Sequence, residues 1–162
     1  MKAVIQRVRN ASVKVDGKVT GSIARGLLVY LGVAEEDTEK DSEWMAEKVA
    51  NLRIFEDANG KMNLSLLDIA KSGANKESRP GPDLPPGVLA VSQFTLLGDA
   101  LKGRRPYYGS AAEPEKAKKL YEYFIAKIIG HGLVCESGIF QAHMEVNYTN
   151  YGPVTILLDS PL

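Results

Sequence analysis

This sequence contains few of the residues that usually carry out catalysis. Its 162 residues include one cysteine, Cys135, and two histidines, His131 and His143. A single cysteine excludes an intrachain disulfide and a cysteine metal cluster, and fits a reducing compartment. The histidines form no His-x-x-x-His or Glu-x-x-His pair and neighbour no G-x-S-x-G turn, so neither a metal site nor a hydrolase elbow is indicated. No apolar run reaches membrane-spanning length. Met1–Arg7 carries a charge inside its short apolar run and has no cleavage pattern, so it does not read as a secretory leader. The expectation is a cytoplasmic protein that uses no cofactor. Net charge is also missing: 20 basic residues balance 20 acidic ones. That argues against gripping a long stretch of nucleic-acid backbone, but leaves room for holding a short end.

What is present reads as a single domain over residues 1–162. Ala3 to Val8 and Ser12 to Val15 are β-rich, and Asp16-Gly17 predicts a hairpin turn into Lys18–Ile23. Gly26 to Val33 is almost continuously apolar, as a strand buried on both faces would be. Thr38, with Asp41 three residues on, predicts a capped helix carrying Trp44, Met45, Val49 and Leu52. Asn59-Gly60 marks a second hairpin. Four prolines among polar residues make 70–87 an exposed loop. Val88 to Val91 is a short strand leading into Ser92-Gln93-Phe94-Thr95. Pro114 suits the first position of a helix with an apolar stripe from Ala117 to Ile128, ended by Gly130 or Gly132. Strands are expected at Leu133–Glu136, Met144–Tyr148 and Pro153–Leu158. The fold class is α+β: strand-rich, a mostly antiparallel sheet or open barrel covered by two main helices.

The functional candidates are correspondingly sparse. His131, at a helix end, reads as a cap favoured by the helix dipole, and His143 as a surface strand residue. Cys135 reads as a small buried hydrophobe. Lys102, Arg104 and Arg105 lie in a loop, Lys116, Lys118 and Lys119 on the helix beyond, and Tyr107 and Tyr108 between them. That mixture suits a single-stranded end held by phosphate contacts and stacking; it equally suits a solvated helix face and a charged loop. Gly152-Pro153 reads as a turn, or as a bare backbone that a ligand can approach closely.

Taken together, Ala3–Val8 with Ala11-Ser12-Val13, Gly26–Val29, Ser92-Gln93-Phe94-Thr95-Leu96, Lys102-Gly103-Arg104-Arg105-Pro106, and Asn150 with Gly152-Pro153-Val154-Thr155 resemble the D-aminoacyl-tRNA deacylases across nearly the whole chain. The resemblance implies hydrolysis of the ester between tRNA and a D-amino acid, and glycine as well. It implies a homodimer with active sites at the interface and a cis Gly152-Pro153 reaching into the partner's pocket, where its carbonyls exclude an L-side chain. Ser92 and Gln93 would orient the 3′ adenosine. Backbone N–H groups of Phe94 and Thr95 would stabilise the oxyanion. Thr95 has no evident base to make it a nucleophile and is read as shaping the pocket, with water positioned by the substrate's ribose 2′-hydroxyl. Arg7 would lock the Gly152-Pro153 carbonyls, and Lys102, Arg104 and Arg105 would contact the tRNA. Tyr151 stands where the family commonly has aspartate, Gln141 where glycine is usual, and Tyr107-Tyr108 where Ser-Phe is typical; the 70–87 loop looks longer than usual. Two rivals remain: a non-catalytic dimeric RNA-binding module, and a related editing enzyme with a trans Gly-Pro that removes L-alanine, against which the intact Ser92–Thr95 speaks.

Overall fold

A computed structural model describes residues 1–72 and 85–161; positions 73–84 of the proline-rich stretch, and with them most of the expected loop, lie outside the described residues. The first strand, β1 (Lys2–Val15), turns at Asp16-Gly17 into β2 (Lys18–Ile23), and β3 (Gly26–Gly32) returns along β1. Helix α1 (Glu39–Asn51) follows, then the small hairpin β4 (Phe55–Glu56) and β5 (Met62–Leu64), and the short helix α2 (Leu66–Lys71). β6 (Gly87–Ser92) leads through a single 3-10 turn, Phe94–Leu97, and a long loop into α3 (Pro114–Gly130). β7 (Val134–Ser137) and β8 (Glu145–Asp159) close the chain.

The sheet order is β2-β1-β3-β6-β7, with β8 on β1 as well. β1 pairs antiparallel with β2, β3 and β8, whereas β6 runs parallel to both β3 and β7. The edges of β2 and β7 meet where a side chain would block them: a Cβ on Gly21 would lie 2.5 Å from the Ser137 carbonyl oxygen. The glycine lets the sheet curl into a nearly closed barrel.

Alternation along the central strands divides the core in two. Leu27, Val29 and Leu31 of β3 and Val88 and Ala90 of β6 face the helices. Leu28, Leu89 and Val91 face the barrel interior with Val8, Ala11 and Val13. The prediction of a strand buried on both faces is met at β3. Helix α1 starts where Thr38 was expected to cap it, with the Asp41 carboxylate accepting from both the Thr38 N–H and hydroxyl at 2.9 Å. Pro114 opens α3, and the His131 N–H closes it on the Lys127 and Ile128 carbonyls.

The chain end differs from the sequence reading in an instructive way. In place of two strands separated by a turn there is one 15-residue strand. Its halves both pair with β1, which at 14 residues is long enough to template them. Likewise, the two segments expected for β1 are one strand with local irregularities.

Candidate functional site

β3 and β6 end side by side, with Leu31 opposite Ser92 and the Gln93 N–H donating to the Leu31 carbonyl at 2.8 Å. The chain then tightens into the Phe94–Leu97 turn. A cavity of about 500 Å³ opens at this point, walled by Ser92, Gln93, Phe94, Tyr121, Phe140 and Met144 among others. That volume falls within the range of about 300–1,000 Å³ usual for small-molecule sites. Its described lining contains no Asp, Glu, His, Lys, Arg or Cys. The Tyr121 hydroxyl donates to the Ala90 carbonyl at 2.9 Å, and burial pushes its pKa up, so it stays a neutral structural group. A more open cleft of about 420 Å³ lies beside it, bordered by Tyr30 and His143 and sharing Gln93 and Met144. There burial, reinforced by neighbouring Tyr148, pushes the Tyr30 hydroxyl up to about 12.

With acids and bases missing from the wall, the polar groups at the mouth are neutral. Gln93 donates its side-chain amide to the Thr95 hydroxyl oxygen. The amides of Phe94 and Thr95 begin the 3-10 turn, where helical geometry supplies no partner from within the turn. Phe94 is 58% exposed and meets Tyr108 edge-on, with ring centres 5.1 Å apart. Thr95 is exposed and lies outside the described lining of both cavities.

Gly152-Pro153 is elsewhere. In the pairing of β1 with β8, Gln6 faces Thr155 and Val8 faces Asn150, so Arg7 alone opposes the four residues 151–154. The surplus chain bulges outward, exposing Gly152 and Pro153. Their peptide bond is cis, and Gly152 has φ +121°. Side chains pin the bulge at both ends. Buried Arg7 donates through Nε to the Tyr151 carbonyl at 3.1 Å and through Nη1 to the Ile54 carbonyl at 2.7 Å. The Asn150 carboxamide accepts from the Val154 N–H at 3.0 Å and donates to the Thr155 hydroxyl at 3.1 Å. Asn150 belonged to the expected second signature but had been given no role; the structure shows it spanning the bulge. Tyr151 lies against two guanidiniums, Arg9 at 4.1 Å and Arg7 at 4.8 Å from the ring centre. Neither Gly152 nor Pro153 lines either cavity, so one chain does not bring the two signature segments together.

The basic residues separate into two groups. On α3, Lys119 pairs with Glu39 at 3.0 Å and Lys127 with Glu43 at 2.7 Å, and His131 just past its end lies 3.3 Å from Glu47, so that the three contacts form a ladder onto α1. Lys118 pairs with Glu122 at 3.8 Å, and Lys116 donates to the Glu35 carbonyl. The helix lysines are therefore engaged within the chain. Lys102, Arg104 and Arg105 are exposed on a loop pinched at its base by paired Asp99 and Tyr107 backbones, and have no ion-pair partner among the described residues. The same loop ends at Ala111 and Ala112, which line the cavity.

Two further observations bear on the sequence candidates. Burial raises the Cys135 thiol to about 12, so it stays protonated. Among the described residues no three His, Cys, Asp or Glu side chains gather as a metal site requires, and no helix is long and apolar enough to cross a membrane.

Comparison with known proteins follows the same lines. The family described as D-Tyr-tRNA(Tyr) deacylase matches residues 4–159. The chain is 56% identical over 160 residues to a D-aminoacyl-tRNA deacylase of Koribacter versatilis, covering 99% of this chain and 97% of that one. It is 56% identical over 160 residues to the enzyme of the same name from Kosmotoga olearia, with the same coverage. Among solved structures, a "c-Myc DNA Unwinding Element Binding Protein" superposes with TM-score 0.84 at 40% identity, each chain covered completely. A probable eukaryotic D-amino acid tRNA deacylase superposes with TM-score 0.76 at 16% identity over 97% of both chains, a likeness of fold alone.

Proposed function

The chain belongs to the D-Tyr-tRNA(Tyr) deacylase family and is a D-aminoacyl-tRNA deacylase, a hydrolase of the aminoacyl ester; from that premise we propose how its two signature segments divide the work. The cavity takes the aminoacyl-adenosine end of tRNA, with Ser92 and Gln93 orienting the adenosine. Water attacks the ester carbonyl, aided by the substrate's own 2′-hydroxyl, and releases the D-amino acid and the free 3′ end. An aminoacyl ester is already activated, so a neutral site suffices if donors meet the developing oxyanion. We assign that role to the amides of Phe94 and Thr95, which open the 3-10 turn beside the cavity. Thr95 shapes the mouth through its bond to Gln93 and is not the nucleophile.

Gly152-Pro153 acts in the site of a second copy. The observation that carries this reading is the separation just described: the segment is pinned outward by Arg7 and Asn150, away from its own chain's cavity. In a homodimer with sites at the interface, its backbone would stand over the partner's cavity and collide with an L-side chain. A D-side chain would point away, and glycine, having none, would also be hydrolysed. Lys102, Arg104 and Arg105 hold the phosphates of the tRNA end.

The test is hydrolysis of D-tyrosyl-tRNA, L-tyrosyl-tRNA and glycyl-tRNA side by side. Turnover of the D and glycyl forms with the L form spared is expected. Equal D and L rates would overturn the exclusion role of Gly152-Pro153, and binding without turnover of any would favour a non-catalytic RNA-binding module.

A further inference from the structure

Two non-glycine residues among those described have φ in the left-handed region, Asp16 at +49° and Gln141 at +64°. Asp16 is explained by its hairpin: with Gly17 it forms the two-residue turn between β1 and β2, where positive φ at both positions matches strand twist. Gln141 sits in a turn as well: the Ala142 N–H donates to the Ile139 carbonyl at 3.1 Å, which puts Gln141 at the third turn position, where positive φ favours glycine or asparagine over glutamine. It follows Phe140 in the connection between β7 and β8, and it lines the large cavity. A Cβ makes this conformation unfavourable for an L-residue, and glycine would occupy it without that cost. It is exposed and lines the cavity, and no hydrogen bond from a described residue occupies its carboxamide. Strain kept at a ligand-facing position, where a simpler residue would relieve it, points to use of the side chain.

We propose that Gln141 reads the edge of the terminal adenine. This rests on the reading that the cavity takes the adenosine end of tRNA. A carboxamide offers one acceptor and a donor pair in a single plane. Adenine presents the complement on its N6/N7 edge, an amino donor beside a ring-nitrogen acceptor, and Gln pairs with it bidentately. The aromatic walls Phe94 and Phe140 stand in the same cavity to cover the faces of the base. Gln141 is then a specificity-determining residue of the substrate site, absent wherever glycine holds this turn.

The experiment compares tRNA carrying D-tyrosine on a terminal adenosine with tRNA carrying it on a terminal purine riboside, which lacks the 6-amino group. The unaltered chain is expected to show a KM up to about tenfold higher on purine riboside with kcat little changed, as loss of one hydrogen bond predicts. Gln141→Gly is expected to raise the melting temperature, by removing the conformational cost, while raising KM on adenosine to at least the level the unaltered chain shows on purine riboside and abolishing the difference between the two substrates. Gln141→Leu, which keeps the Cβ and most of the bulk, is expected to lose the same discrimination without gaining stability. Unchanged preference for adenosine in both variants would overturn the proposal. Absence of turnover by the unaltered chain on either substrate would overturn the deacylase reading, and this one with it.

Discussion

Ser92–Thr95 and Tyr151–Val154 both break the regularity of a strand, but they do so against opposite backgrounds. Ser92 ends β6, whose residues Gly87 to Val91 are buried, the first four of them paired on both sides. The Phe94–Leu97 turn that follows buries Leu97. Tyr151–Val154 interrupts β8 in mid-strand, where four residues face one. It is held by named side-chain bonds from Arg7 and Asn150 more than by burial. The comparison teaches that a site floor can inherit its rigidity from the core, whereas a projecting backbone segment must be fixed by individual residues. The first should tolerate side-chain changes that the second does not.

The sharpest challenge to this contrast is Gly152→Ala. A Cβ there would lie 2.8 Å from Arg7 Nη2 and 2.8 Å from Val154 Cγ2, at a φ of +121° that L-residues avoid. Deacylation should fall on the order of a hundredfold, the scale expected when a positioning element shifts by about an ångström. Stability should fall by about 1–3 kcal/mol, read by denaturant unfolding. Wild-type rates in this variant would show that the bulge tolerates displacement and would remove the contrast.

Arg7→Lys comes next. Lysine keeps the charge but lacks the fork that reaches two carbonyls at once, so unfolding should cost about 1.5–3 kcal/mol less than in the unaltered chain. The ratio of D- to L-tyrosyl-tRNA hydrolysis should fall with it, since the Tyr151 carbonyl loses its anchor. A stability loss with the ratio unchanged would assign Arg7 to folding alone.

Joint replacement of Lys102, Arg104 and Arg105 by alanine should raise KM for charged tRNA. It should also reduce the slope of log KM against log salt by about 2, at about 0.7 per phosphate on a single strand. Lys119→Ala, whose partner is Glu39 at 3.0 Å, should leave KM unchanged and cost less than about 1 kcal/mol of stability. Equal effects from loop and helix would mean that both groups meet the substrate.

The smallest effect is expected at Thr95. Thr95→Val should retain activity within about tenfold, whereas removal of a true nucleophile costs on the order of a millionfold. Collapse of the rate in Val with recovery in Ser would make the hydroxyl essential.

Local signals in the sequence marked most elements. Asp16-Gly17, Thr38 with Asp41, and Pro114 mark a turn and two helix starts because each acts on its own backbone within a few residues. The same kind of signal was present at Ser65 with Asp68, where the Asp68 carboxylate accepts from the Ser65 N–H at 2.8 Å and caps α2; that helix, six residues long, was too short to show a periodic stripe. The reading of Gly152 as a turn or a bare backbone rested on residue type. The bulge that explains it depends on which residues of β1 lie opposite, a pairing 144 residues apart in sequence for Arg7 and Tyr151.

By itself the sequence determined the strand-rich α+β class, the capped helices and the family, since propensity, capping and signature are short-range and written in residue order. Tertiary structure alone decided that the described cavity wall is neutral and that Lys119 and Lys127 of α3 pair with α1. It also decided that Gln141 lines the cavity at positive φ, and that Gly152-Pro153 lies outside the cavity of its own chain. Each of these depends on elements distant in sequence being packed together, where register and burial, not composition, set which groups meet.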